Sequence, residues 1–325
     1  MKCNKLFPII CIVVLALCAG SFGWAQVSAA GVNYEKVALL KWYQANLTTT
    51  FAVTGAPTAL AFDGVDVWVA LQDNAHNFAG TITKMRAADG AVLGTFPVGR
   101  SPFEAAYDGA NIWVTNALDN TVSKLRAADG TNLGTFTVGN TPLGVAFDGA
   151  NIWVTNSSSA SVSKLRAADG ASLGTFSVGG HPYAAASDGA NIWVVNNDSD
   201  SVSKLRAGDG ANLGTFAVGR NPAGLAFDGT NIWVANFTGG TVTKLRAADG
   251  ANLGTFAVGV GAFGVAFDGA NIWITNTSSG TVTKLRAADG GKLGSFAAGR
   301  AASRVAFDGA NIWVANTNDG TLSKL

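Results

Sequence analysis

Beyond Cys18 the sequence contains no cysteine: its three thiols, Cys3, Cys11 and Cys18, all lie in the first segment of the chain. Once that segment is removed there is neither a disulfide nor a thiolate ligand, and stability has to come from packing. Histidine is nearly as scarce, with only His76 and His181, so no transition-metal site is expected. Glutamate occurs twice, at Glu35 and Glu104. Charged residues make up 13% of the chain and the formal net charge is +1, so no long-range field draws the protein to nucleic acid or an anionic membrane. His-Glu-x-x-His and phosphate-loop motifs are missing, the Gly170–Gly174 and Gly259–Gly264 strings that match a serine elbow and a dinucleotide fingerprint by letter have no helix-forming run after them, and no cofactor is expected. What is abundant is glycine, 41 residues, against 7 prolines and 2 methionines. That balance suits short strands and tight turns.

The N-terminus reads as a secretory signal. Lys2 and Lys5 precede an apolar run from Leu6 to Ala19, and Gly23-Trp24-Ala25 offers small residues at a cleavage site. The expected division is a signal peptide over 1–25, an extension over 26–45 and a repeat region over 46–325, with export to the periplasm or the cell exterior. The run is shorter than the roughly 20 residues a spanning helix needs, so no transmembrane span is expected after cleavage. Val27-Ser28-Ala29 is a second cleavage site, and a lipid on Cys18 is an alternative that the bulky leucine in Leu15-Ala16-Leu17 disfavours.

Asp-Gly-Ala-Asn-Ile-Trp recurs with its tryptophan at Trp113, Trp153, Trp193, Trp273 and Trp313, and Asp228-Gly-Thr-Asn-Ile-Trp233 fills the gap at the same 40-residue spacing. A degenerate copy ending in Trp68 makes seven, displaced by five extra residues in its following loop. A period near 40 belongs to propellers or helical arrays. In one unit the apolar runs are Gly144–Phe147, Asn151–Thr155, Ser161–Leu165 and Leu173–Val178, separated by Asp-Gly and Asn-rich turn chemistry. No run is long enough for a helix, so each unit is expected to be a four-stranded antiparallel blade. The last unit stops after its third strand, while Thr48–Val53 matches the fourth. The expectation is an all-β, seven-bladed β-propeller closed by pairing of N-terminal and C-terminal strands in one blade, which removes the open sheet edges.

The repeated tryptophans, on second strands covered by neighbouring blades, read as core. Repeated lysines and arginines of the Lys124 and Arg126 types match repeated aspartates of the Asp108 and Asp129 types in number, and the expectation is pairing between strand ends and turns. The Asn116-type residues read as turn caps.

The Asp-Gly-Ala-Asn-Ile-Trp-Val-Thr-Asn and Val-Gly-Asn-Thr-Pro-Leu-Gly-Val-Ala-Phe segments resemble those of exported bacterial YVTN-type (YncE-like) propellers, over nearly all of the repeat region. Streptogramin lyases and seven-bladed lactonases are more distantly similar, and imply an enzymatic alternative. The lyases' His and Glu acid-base set has no counterpart at matching positions here.

Positions at which one copy departs from its siblings are released from purely repetitive packing. They gather in the loop from fourth to first strand and in the loop from second to third strand. The insertion, Gln72 to Gly80 with His76 and Phe78, lies in the latter. Strand alternation puts both on one face of the disc and the uniform Asp-Gly turns on the other. Arg100, Glu104, His181, Tyr183, Arg220, Arg300 and Arg304 are the expected ligand-binding candidates around the axial opening of the variable face. Glu104 and Arg304 occupy equivalent positions two blades apart and are expected to pair. His181 is a candidate base. Asp198 and Asp200 are hard donors but too few for calcium. The reading is a non-enzymatic, monomeric, exported propeller binding a protein, peptide or glycan through its variable face. The alternatives are a lyase or lactonase working at the channel mouth with His181, Glu104 and nearby arginines, and a structural part of an envelope or extracellular assembly.

Overall fold

Each repeat folds where its turn residues divide it. In the third unit the strands run Pro142–Phe147, Asn151–Asn156, Ser161–Arg166 and Ser172–Ser177. The first turn is set by Asp148, whose Oδ1 accepts from the backbone N–H groups of Ala150 and Asn151 at 2.9 and 2.7 Å, and by Gly149 at φ 100°. The computed structural model describes residues 49–325, and these form seven four-stranded antiparallel sheets. A single short 3-10 turn, Ser157–Ser159, is the one helical element among the described residues. None of those residues forms a helix long and apolar enough to cross a membrane. The expected signal peptide and extension, and the cysteines, lie outside the described residues.

We number the blades from Ala56. Six are continuous in sequence, and the seventh combines Ala302–Phe307, Ile312–Asn316 and Thr321–Lys324 with Thr49–Ala52. In that blade Thr49 stands opposite Lys324 and Ala52 opposite Thr321, so the ring closes as the split repeat implies.

The core is not one mass but a series of layers between blades. Trp113 and Val122 of blade 2 pack with Val145, Ile152, Val154 and Leu165 of blade 3. At the closure, Trp313 and Leu322 of blade 7 pack with Leu60, Val67, Val69 and Met85 of blade 1. Within its own blade each tryptophan meets a fourth-strand phenylalanine, as Trp113 meets Phe136 at 5.5 Å between centroids. Phe51 supplies that ring for Trp313 at 5.3 Å, from the other end of the chain.

The repeated charges are arranged differently from the expected strand-end pairing. Only the Arg126–Asp129 type pairs consistently, within one turn at 3.0 Å and half exposed. Asp108 instead accepts from Trp113 Nε1 at 2.7 Å while its other oxygen holds the turn. Lys124 reaches into the next blade, donating to the carbonyls of Ala167 and Ala168 at 2.6 and 2.9 Å, with its ammonium 5.1 Å from the Trp113 ring centroid. Two orphan carbonyls and an aromatic face thus satisfy a buried cation that has no carboxylate within ionic reach. Among the described residues lysine approaches an aspartate of that type only at Lys84, 4.0 Å from Asp63, and Lys284, 3.9 Å from Asp268.

Candidate functional site

The two loop types that vary among repeats do share one face. Asn116 shows how: it is fully buried, accepts from Gly99 N in the preceding loop at 3.0 Å, and donates to Thr121 and Ser123 of the third strand. This tie recurs at Asn156, Asn196, Asn236 and Asn316, so the Asn116-type residues are struts between loops and strand rather than simple caps. Gly99 has to be glycine, since a Cβ there would lie 2.6 Å from the Asn116 side chain.

First strands surround the axis. A cavity of about 150 Å³ is lined from all seven blades, by Leu60, Glu104, Val145, Ala185, Leu225, Val265 and Val305 among others. That is smaller than the 300–1,000 Å³ typical of drug-sized ligand pockets, which directs attention to the mouth above it. The residue equivalent to Glu104 is small in every other blade but one: Ala59, Gly144, Ala184, Gly224 and Gly264, with Arg304 in blade 7. A Cβ at Gly264 would meet Ser303 O at 2.5 Å, and one at Gly144 would meet Ala184 Cα at 2.7 Å, so close approach of adjacent first strands accounts for the small residues.

Glu104 and Arg304 do pair, Oε2 to Nε at 3.4 Å. Arg304 is 7% exposed at the side chain and also donates to Thr58 O at 3.1 Å and Phe103 O at 3.4 Å. Its guanidinium carbon lies 4.6 Å from the Phe103 ring centroid and 4.7 Å from that of Phe263. Tyr183 meets both of those rings edge-on, at 5.3 and 5.7 Å. Burial raises the Glu104 carboxyl above its ordinary range, with the Arg304 charge opposing. Burial likewise raises the Tyr183 phenol, with Arg304 opposing and Glu104 reinforcing.

Of the seven candidates, the structure brings Glu104, Arg304 and Tyr183 together, with the exposed His181 beside Tyr183 at 6.1 Å between ring centroids. Arg100 and Arg300 are committed elsewhere. Their Nε atoms bond Asp119 and Asp319 at 2.7 and 2.6 Å, and the same carboxylates accept from their own backbone N–H groups. They pin one loop to another. Arg220 is exposed, and the position that holds Asp119 and Asp319 is Gly239 in its blade. His76 bonds Asp73 at 2.6 Å in the inserted loop, both groups well exposed. Among the described residues no three His, Cys, Asp or Glu side chains come together.

The sequence reading passed over Phe103, Phe263 and Phe237. The signal was present: the residue before the Glu104 position reads Phe103, Leu143, Tyr183, Ala223, Phe263 and Ser303, an aromatic in every second blade. Phe237 extends the cluster, 6.2 Å from Phe263 and 37% exposed.

No family model matches the sequence, and no curated protein matches it. Solved structures do. A chain of Kuenenia stuttgartiensis hydrazine synthase is 18% identical with a TM-score of 0.72, covering 84% of this chain and 96% of its own. The fold is shared. A streptogramin B lyase is 16% identical with a TM-score of 0.68, covering 85% of this chain and 96% of its own. At such identities the likeness concerns architecture, and a propeller hosts many unrelated activities.

Proposed function

We propose that the protein is a non-enzymatic binding module that takes a protein, peptide or glycan on its variable face. The observation that carries this reading is the aromatic cluster of Phe103, Tyr183, Phe263 and Phe237 over the axial mouth, with Arg304 and Glu104 beneath. Aromatic side chains with a few placed polar groups are the usual makeup of a recognition surface. The lyase or lactonase alternative needs an imidazole in reach of a carboxylate near the axis. His181 packs beside Tyr183, and the Glu104 carboxylate engages Arg304, an arrangement that favours binding over proton transfer.

The test is a titration of residues 26–325 against glycan and peptide arrays, repeated with Phe237→Ala and with Arg126→Ala/Arg206→Ala on the opposite face. Binding should fall only in the first variant. Loss confined to the second would reverse the assignment of faces. Export, which belongs to the same reading, is checked by mass spectrometry of the secreted chain, expected to begin after Ala25 without any cysteine.

A further inference from the structure

Three arginines occupy the same position in the loop entering a blade, and two of them are neutralised. Arg100 meets Asp119 and Arg300 meets Asp319. In blade 5 the third, Arg220, faces a turn whose equivalent residue is Gly239, and among the described residues it has no ion pair. An exposed guanidinium without its carboxylate is a ready site for an external one, bound through two parallel N–H donors.

What surrounds Arg220 limits the class of that ligand. Asn221, the next residue, accepts from the backbone of Phe237 at 3.0 Å, and its side-chain oxygen accepts from Thr238 at 2.5 Å. That leaves the Asn221 amide N–H donors uncommitted. Phe237 is 37% exposed, and Val260 follows beyond the same turn at 67%. Asp200 also lies here, its Oδ1 taken by the backbone N–H of Asn221 at 2.8 Å, so the sector offers one unpaired cation, an exposed ring and neutral amide and hydroxyl groups beside a carboxylate engaged by the backbone. Strand ends and loops make up this face, while the first and fourth strands carry the sheet edges at the axis and the rim. A peptide has no edge here on which to add a strand.

We propose that the blade 5 sector binds an acidic saccharide, with Arg220 taking the sugar carboxylate, Phe237 lying against a ring, and Asn221 and Thr238 meeting hydroxyls. This rests on the variable face being the binding face. The probes are short oligogalacturonates and the same oligomers fully methyl-esterified, which keep the ring and lose the charge.

With residues 26–325, calorimetric titration should show the acid bound at least tenfold more tightly than the ester, the scale of a charged hydrogen-bonded contact. Arg220→Ala should erase that preference, Arg220→Lys should keep part of it, and Phe237→Ala should weaken acid and ester alike. Melting temperatures within a degree or two of the parent's show that the variants fold. Equal binding of acid and ester, binding of neither, or indifference to Arg220→Ala overturns the proposal. A neutral glycan or peptide lost on Phe237→Ala would overturn it while leaving the binding face in place. A ligand lost only on Arg126→Ala/Arg206→Ala would remove both.

Discussion

The carboxylate of Asp188 does what two groups would otherwise share. One oxygen closes the turn onto Ala190 and Asn191, and the other receives the indole N–H of Trp193 at 2.8 Å. Burial by itself would raise this carboxyl, but the hydrogen bonds from Trp193, Asn191 and the turn backbone outweigh it and hold the group below its ordinary value. The same holds at Asp108, Asp148, Asp228, Asp268 and Asp308. A depressed folded-state value means stability that is fully present above the unfolded value, near 3.9, and lost as pH falls through the folded one. The melting temperature should therefore hold level from pH 7 to about pH 5 and drop below about pH 4. Asp188→Ala should weaken that acid response and lower stability at neutral pH by about 1–3 kcal/mol, since the Trp193 donor would be left buried and unpaired.

Arg304 and Glu104 obey the opposite sign. Removing the cation in Arg304→Met leaves the Glu104 carboxylate, 22% exposed at the side chain, without its partner, at a cost of at most about 3–5 kcal/mol, the value for a fully buried pair. Because Glu104 already has a raised carboxyl, the penalty should be largest at high pH and shrink as pH falls through its folded-state value, where the group becomes neutral. Arg304→Met/Glu104→Gln should recover most of the loss. Denaturant titrations at several pH values check this, and a double variant no better than the single one would assign the loss to the Phe103–Arg304–Phe263 stack instead of the ion pair.

Among the elements, the loops divide into those that hold the blade and those that depart from it. Arg300→Ala should disturb a loop fastened by its own Asp319, while Arg220→Ala should change melting by less than about 0.5 kcal/mol, as exposed substitutions do; paired thermal melts compare the two. Blade limits were legible because Asp-Gly turns recur between first and second strands and between third and fourth strands, and glycine or asparagine marks the other junctions. The Glu104–Arg304 pair was legible from equivalent register. The fate of Arg100 and Arg300 was not, because the carboxylates that take them sit 19 residues away in another loop and the link depends on loop conformation. Nor was the lysine clasp: the acceptors of Lys124 are backbone carbonyls 43 and 44 residues ahead, which carry no side-chain signature. Fourth strands hold a last lesson at this scale. In the six continuous blades each contains a register shift, opposite Lys124 and Leu125 in blade 2, with Leu133 left 40% exposed. A bulge of this kind twists an outer edge away from pairing with another sheet.

For the whole molecule, closure rests on few residues. Thr49–Ala52 completes blade 7 and carries Phe51 onto Trp313, and Lys324 donates to Ala87 O of blade 1 at 2.7 Å. A chain starting at Ala56 should melt well below the parent, because the Trp313 layer loses a ring and blade 7 loses its outer strand. An unchanged melting temperature would show that the first strand contributes nothing to the ring.

Since Thr49 lies directly across from Lys324, the described chain starts and stops at neighbouring points on one sheet. Every other blade crosses that gap with a turn such as Arg206-Ala-Gly-Asp-Gly210. Joining the seam with that turn and cutting the chain in the equivalent turn of blade 4 would give a circular permutant with the same pairings and the split moved three blades around. Such a permutant should refold to a disc of similar stability, which would make the position of the seam an accident of where the gene is read.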